Sequence, residues 1–138
     1  MRTIKFRAMR NNGKWVIGNY VHHFISYFDT IERHSIFLSK SENDNGGHWV
    51  EDIITKTIGQ FTGLYDKDGK EIYEGDILRF GNSPSGVCEV KWNESIAAFC
   101  IRFYFEGEIV SRPIDGGVEF AIIGNIHDNP ELLKGGKK

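Results

Sequence analysis

Alanine and leucine are scarce, with four and five among 138 residues. A chain so poor in strong helix formers does not build a helix bundle or a coiled coil. Cysteine occurs twice. Cys88 and Cys100 fit neither a CxxC pair nor a Cys/His zinc spacing, and two are too few for a disulfide framework. No apolar run approaches the roughly 20 residues a membrane helix needs. The charged N-terminus is not followed by the apolar segment of a signal peptide, so the expectation is a cytoplasmic protein with no membrane partner. Net charge is also small. At −2, with a pI near 6.2, the whole chain has no electrostatic footprint for nucleic acid. No Ser or Cys groups with a His and an orienting acid, so no catalytic residues and no enzyme are expected.

What is abundant is β-favouring. Isoleucine (17), valine (7) and the aromatics (18) dominate the apolar set, and sixteen glycines supply turns. The charge is unevenly spread. Residues 1–14 carry Arg2, Lys5, Arg7, Arg10 and Lys14 and no acid. Residues 60–133 hold 6 Lys/Arg against 13 Asp/Glu, a local charge of −7. A basic first strand therefore leads an acidic second half. It offers a surface for a phosphate backbone or an acidic partner, or simply a solvated strand face.

Period-two alternation marks residues 3–10 as a strand, with Ile4, Phe6 and Ala8 on one face and Lys5, Arg7 and Met9 on the other. Ile4 and Phe6 are expected to be buried. Asn11-Asn12-Gly13 is a hairpin signal, and residues 14–18 return as the second strand. Residues 20–28 read as a further strand and 35–39 as its partner, with 29–33 between them ambiguous, and 41–47 as an exposed loop. Residues 49–58 read as extended. Asp66-Lys67-Asp68-Gly69-Lys70 is a tight turn rather than a calcium loop, because an EF-hand needs its Gly sixth and its Glu twelfth. A second turn at Glu74-Gly75-Asp76 delivers a strand at 77–80, with Asp76 expected to bond backbone two residues on. Residues 81–86 form a loop. Residues 87–92 and 96–105 form a hairpin about Glu94, which would set Cys88 opposite Cys100 as packed, reduced thiols. Ile101 and Phe103 face the core and leave Arg102 and Tyr104 on the other side. Residues 109–112 and 118–124 complete the strands. Asn129 caps a helical turn with Pro130 at its first position, and 134–138 is a flexible tail.

Three blocks carry a family signature. They are Ile4-Lys5-Phe6-Arg7-Ala8, then residues 57–77 with Gly59-Gln60-Phe61-Thr62-Gly63-Leu64-Tyr65-Asp66-Lys67-Asp68-Gly69-Lys70 and Tyr73-Glu74-Gly75-Asp76-Ile77, and finally Ile122-Ile123-Gly124-Asn125-Ile126-His127-Asp128-Asn129-Pro130-Glu131-Leu132-Leu133. In order and wording the chain resembles the YopX family of phage and prophage proteins. The resemblance implies a mainly β protein of phage or prophage origin, acting in the cytoplasm of a bacterial host. It implies that the C-terminal part is an SH3-like β-barrel, so the fold expected is an N-terminal β region over 1–58 packed on a C-terminal SH3-like β-barrel over 59–133. It supplies no biochemical function and no catalytic residues.

The structural signature is expected to rest on Gly63, Gly69, Gly75, Asp76, Gly124, Asn129 and Pro130. A partner surface is expected to draw on Arg2, Lys5, Arg7 and Arg10 and on the aromatic and arginine positions Tyr65, Tyr73, Arg102 and Tyr104. The occupant would be a protein partner or a second copy of the chain. The alternative is a nucleic acid laid along the basic strand. No cofactor is expected. No metal is expected either: His22 and His23 fall on opposite faces of one strand, and His34, His48 and His127 show no ligand spacing.

Overall fold

The alternating first block becomes β1 (Phe6–Met9) in the computed structural model, which describes residues 1–26, 30–38, 46–81 and 86–134. Most of the loops expected over 41–47 and 81–86 and of the tail expected over 134–138 lies outside the described residues, as does the end of the strand expected over 20–28. Ten further strands follow: β2 (Trp15–Ser26), β3 (Thr30–Leu38), β4 (His48–Val50), β5 (Gly59–Tyr65), β6 (Glu71–Tyr73), β7 (Asp76–Phe80), β8 (Val87–Asn93), β9 (Ala98–Phe105), β10 (Glu108–Pro113) and β11 (Phe120–Asn125). A single helical turn, α1 (Glu131–Lys134), closes the described chain. The protein is mainly β, built of two antiparallel sheets.

The chain divides into two units, Met1–Phe61 and Thr62–Lys138. In the first, the strand order is β4-β3-β2-β1-β5. The β1–β2 turn is a type I turn closed by Gly13 N–H donating to Arg10 O at 2.9 Å, with Gly13 itself at φ +83°. That is the three-residue hairpin loop, in which only the last residue needs a positive φ. β3 starts at Thr30, earlier than the sequence signals, because β2 pairs with it all the way from Asn19↔Phe37 to Ser26↔Thr30. Pairing partners impose an extended backbone where local propensity is silent. Residues 49–58 are less extended than expected. They hold β4, one bridge from Ile53 to Arg10 and a 3-10 turn at Thr55–Thr57. Buried Thr57 locks this turn down, its hydroxyl accepting from Met9 N–H at 2.8 Å and donating to Ile54 O at 2.6 Å. Ala8, Ile36, Val50 and Ile53 form the core, with Phe6 packed against it. Ile4 is 51% exposed and does not join them, because it precedes the first paired residue of β1.

β5 continues past Phe61 into the second unit, where β6 lies beside it in the sheet. The other sheet of that unit runs β10-β9-β8-β7-β11. Its core is Ile72, Leu78, Cys88, Val90 and Phe120, and Ile101 and Phe103 pack against it as their alternation required. The 66–70 turn carries Gly69 at φ +80°, and buried Asp66 stitches it down. Asp66 Oδ1 accepts from Asp68 and Lys70 N–H at 2.9 Å each, and Oδ2 accepts from Ile122 N–H at 3.2 Å. One carboxylate thus closes its own turn and fastens it to β11.

One sequence expectation needs correction here. The β8–β9 register pairs Lys91 with Cys100 and Val90 with Ile101, so Cys88 and Cys100 do not face each other. The loop spans four residues, 94–97, with Ala97 at φ +50°, and its centre therefore lies past Glu94. The two thiols are free and buried, on opposite faces of the sheet. Burial pushes the Cys88 thiol up to about 12. The Asp76 carboxylate also reaches backward, accepting from Tyr73 N–H at 2.8 Å and bracing the turn that Gly75 makes at φ +86°.

Candidate functional site

The basic strand is largely engaged within its own unit. Arg2 is exposed ahead of β1, but Lys5 Nζ sits 5.1 Å over the Phe61 ring and Arg7 Cζ 4.8 Å over the Trp15 ring. Arg10 clamps Asp52 through two contacts of 3.1 Å, from Nε and from Nη2. The Arg10 hydrogen bond holds the Asp52 carboxyl below its ordinary range. These cations stack on rings or pair with a carboxylate, which leaves less of each for a phosphate backbone.

The aromatic candidates separate. Tyr65 is 59% exposed, as a partner surface requires. Tyr73 is 3% exposed, and its hydroxyl donates to Glu71 Oε2 at 2.7 Å, so it belongs to the interior and not to the surface. It sits at the end of β6, where the turn to β7 directs it inward. Arg102 and Tyr104 stand on the outer face of β9, where Arg102 lies opposite Glu89 on one side and Ser111 on the other. Tyr104 lies opposite Ile109, and both are exposed. Trp92 and Phe105 are also exposed nearby in sequence. Lys91, Trp92, Glu94, Arg102, Ile109 and Ser111 surround a shallow depression of about 260 Å³.

The signature residues serve architecture. Gly63 lies within β5 at φ +88°. Gly124 is required for a different reason: a Cβ there would stand 2.6 Å from Asn129 Oδ1. That oxygen accepts from Asn125 N–H at 3.3 Å, so Asn129 spends its side chain on β11 instead of on the helix end that Pro130 opens. The helix-start role passes to its backbone, since Leu132 N–H donates to Asn129 O at 3.1 Å. Asn125 Oδ1 in turn accepts from His127 and Asp128 N–H. The 124–130 segment is thereby closed on itself by short polar side chains.

One cluster was hidden from residue spacing. The β2–β3 register places His22 directly opposite His34. On the same face Glu32 is one step outward along β3 and Tyr20 one step inward along β2. His22 Nε2 lies 2.7 Å and His34 Nε2 3.2 Å from the same oxygen, Glu32 Oε1. The Tyr20 hydroxyl is 2.6 Å from His34 Nδ1. The imidazoles stack at 4.6 Å with planes 7° apart, and Tyr20 continues the stack toward the core. Burial first, and the Glu32 charge second, raise the Tyr20 phenol above its ordinary value. Pairing of Ser26 with Thr30 sets position 22 against position 34. The strands 20–28 and 35–39 are expected to pair, but starting the partner at Ser35 leaves Glu32 and His34 outside it and conceals the cluster.

Three comparisons bear on these features. No curated protein matches the sequence. The crystal structure of protein EF1440 from Enterococcus faecalis matches with 24% identity and a TM-score of 0.48, over 96% of this chain and 99% of that one. The sequence matches the YopX protein family over residues 5–134, which takes in the β1 strand, the Asp66 turn and the closed 124–130 segment alike. With nearly its whole length inside that match, the chain belongs to the YopX family.

Proposed function

We propose that this chain is a phage- or prophage-encoded interaction module that binds a protein partner through the outer face of β8, β9 and β10. The observation that carries the reading is the exposed pair Tyr104 and Ile109, set opposite each other beside Arg102 and the depression between Lys91, Glu94 and Ser111. Aromatic and arginine side chains in an open, partly apolar face are the composition of protein-binding surfaces. Among the described residues β10 is also the edge of its sheet, a place where a backbone can pair with an added strand. We read the second unit as an SH3-like barrel, a scheme that five short antiparallel strands with tight turns fit. The place of action in this reading is the bacterial cytoplasm.

A nucleic-acid partner is less well supported. Arg7 and Arg10 already hold Trp15 and Asp52, and the acidic second half repels phosphate. The test is a Tyr104→Ser/Ile109→Ser double variant, whose positions are exposed enough to leave folding intact. Immobilised wild-type chain should retain a specific protein from host lysate, and the double variant should lose it. Light scattering on both distinguishes a foreign partner from a second copy. Equal retention by both chains would overturn the surface. A gel shift of DNA or RNA at low salt, abolished by Arg2→Ala/Lys5→Ala, would replace the reading with the nucleic-acid one.

A further inference from the structure

The β2–β3 hairpin carries a second feature, independent of the partner surface. Among the described residues, His22, Glu32 and His34 bring one ligand atom each to within 4.8 Å of one another. We propose that these three side chains form a binding site for one divalent transition-metal ion of the zinc type, held by His22 Nε2, His34 Nε2 and a Glu32 carboxylate oxygen, with water in the fourth position.

The donor set is the first argument. Two imidazoles and one carboxylate are the ligand types zinc and its neighbours take, and three protein ligands plus water is the usual open arrangement. Geometry is the second. Ligands at about 2.0–2.2 Å from a tetrahedral ion stand roughly 3.4 Å from each other. Glu32 Oε1 already lies 2.7 and 3.2 Å from the two imidazole nitrogens. A small outward swing of this exposed carboxylate, with a turn of the half-exposed His22 ring out of its parallel stack on His34, makes room for an ion between the three atoms. Backbone movement is unnecessary, because His22 and His34 are a direct cross-strand pair.

The third argument is the outer partner. Metal-binding histidines characteristically place their other ring nitrogen in a hydrogen bond that fixes ring and tautomer. His34 does so: its Nδ1 meets the Tyr20 hydroxyl at 2.6 Å, and Tyr20 is anchored against the buried Ile36 and Ala8 core. With an ion on Nε2, Nδ1 carries the hydrogen and donates it to the phenol oxygen. Ring stacking on Tyr20 holds the His34 plane in place. Access is open, since the side chains of His22 and Glu32 are 40% and 55% exposed while that of His34 is 25% exposed.

The test is titration of the untagged, chelator-stripped full chain with zinc chloride by calorimetry and with cobalt(II) chloride by visible absorption. One ion per chain, an intense tetrahedral cobalt band and a zinc-dependent rise in Tm are expected. His22→Ala and Glu32→Gln should each weaken binding at least tenfold, and both sit at exposed positions that leave folding unharmed. Tyr20→Phe keeps the packing ring and should weaken binding about ten- to a hundredfold. His23→Ala, on the opposite face, should change nothing. The proposal is overturned if zinc does not bind at micromolar concentration, or if binding persists unchanged in His22→Ala and Glu32→Gln, which would mark adventitious binding by the other histidines.

Discussion

Asp66 shows how much a single side chain organises. Partial removal from water alone would raise its carboxyl, but the backbone N–H groups of Lys70, Ile122 and Asp68 outweigh that and leave it below the ordinary range. Asp66→Ala deprives three donors of their acceptor at once. It should cost about 2–4 kcal/mol in urea unfolding, the scale of losing charge-assisted bonds at a buried site. The pH dependence follows from the direction of the shift. A folded value below the unfolded one means that the unfolded chain takes up the proton first on acidification. The contribution is therefore complete above the unfolded carboxylate value of about 3.9 and fades as pH falls through the folded value. Urea midpoints of wild type and Asp66→Asn, followed from about pH 6 to about pH 3, should converge at the acid end. A gap that widens on acidification would contradict the assignment. At this scale the sequence was informative, because an Asp opening a turn three residues before Gly69 has few other uses. The bond from Ile122, 56 residues away, could not be foreseen.

At the scale of the element, turns decided what periodicity could not. The β9–β10 connection is a two-residue turn in which both Glu106 (φ +52°) and Gly107 (φ +81°) are left-handed. Two-residue hairpins favour that mirror-image turn because its twist matches the strands, and Asn suits its first position far better than Glu. Glu106→Asn should stabilise the protein by roughly 0.5–1 kcal/mol, read as a rise in urea midpoint at unchanged slope. An unchanged or lower midpoint would show that Glu106 has a compensating role. The β8–β9 loop made the opposite point. Asn93 does form a local turn, accepting from Ser95 N–H at 3.0 Å, yet the loop runs on to Ala97 and moves the register off Glu94. Loop length sets register, and register sets which side chains meet. This is why Cys88 and Cys100, equidistant from Glu94 in sequence, end on different faces.

At the scale of the molecule, stability and interaction draw on different surfaces. Each unit has its own buried apolar cluster, centred on Ile36 in the first and on Leu78 in the second, both fully inaccessible. Ile36→Ala or Leu78→Ala should each cost about 2–5 kcal/mol, a large part of the roughly 5–15 kcal/mol of a typical domain. Ile109→Ala, at a residue 54% exposed, should stay within about 0.5 kcal/mol of wild type. Chemical denaturation of the three variants side by side measures this contrast. A large loss at Ile109 would mean that the outer face of β10 is part of the folding core and not a surface kept for a partner.

The sequence by itself determined the β class, most strand positions, the glycine-bearing turns and the family. Each of these depends on neighbours a few residues apart, where alternation, β-branching and left-handed turn residues act directly. Only the tertiary structure decided which distant side chains meet. Tyr73 went inside, Ile4 stayed outside, Arg7 and Arg10 found Trp15 and Asp52, and His22, Glu32 and His34 converged on one face. All of these follow from strand pairing and from where pairing begins and ends. A one-residue change of register moves every side chain of a strand to the other face, and local sequence does not specify register without the partner strand.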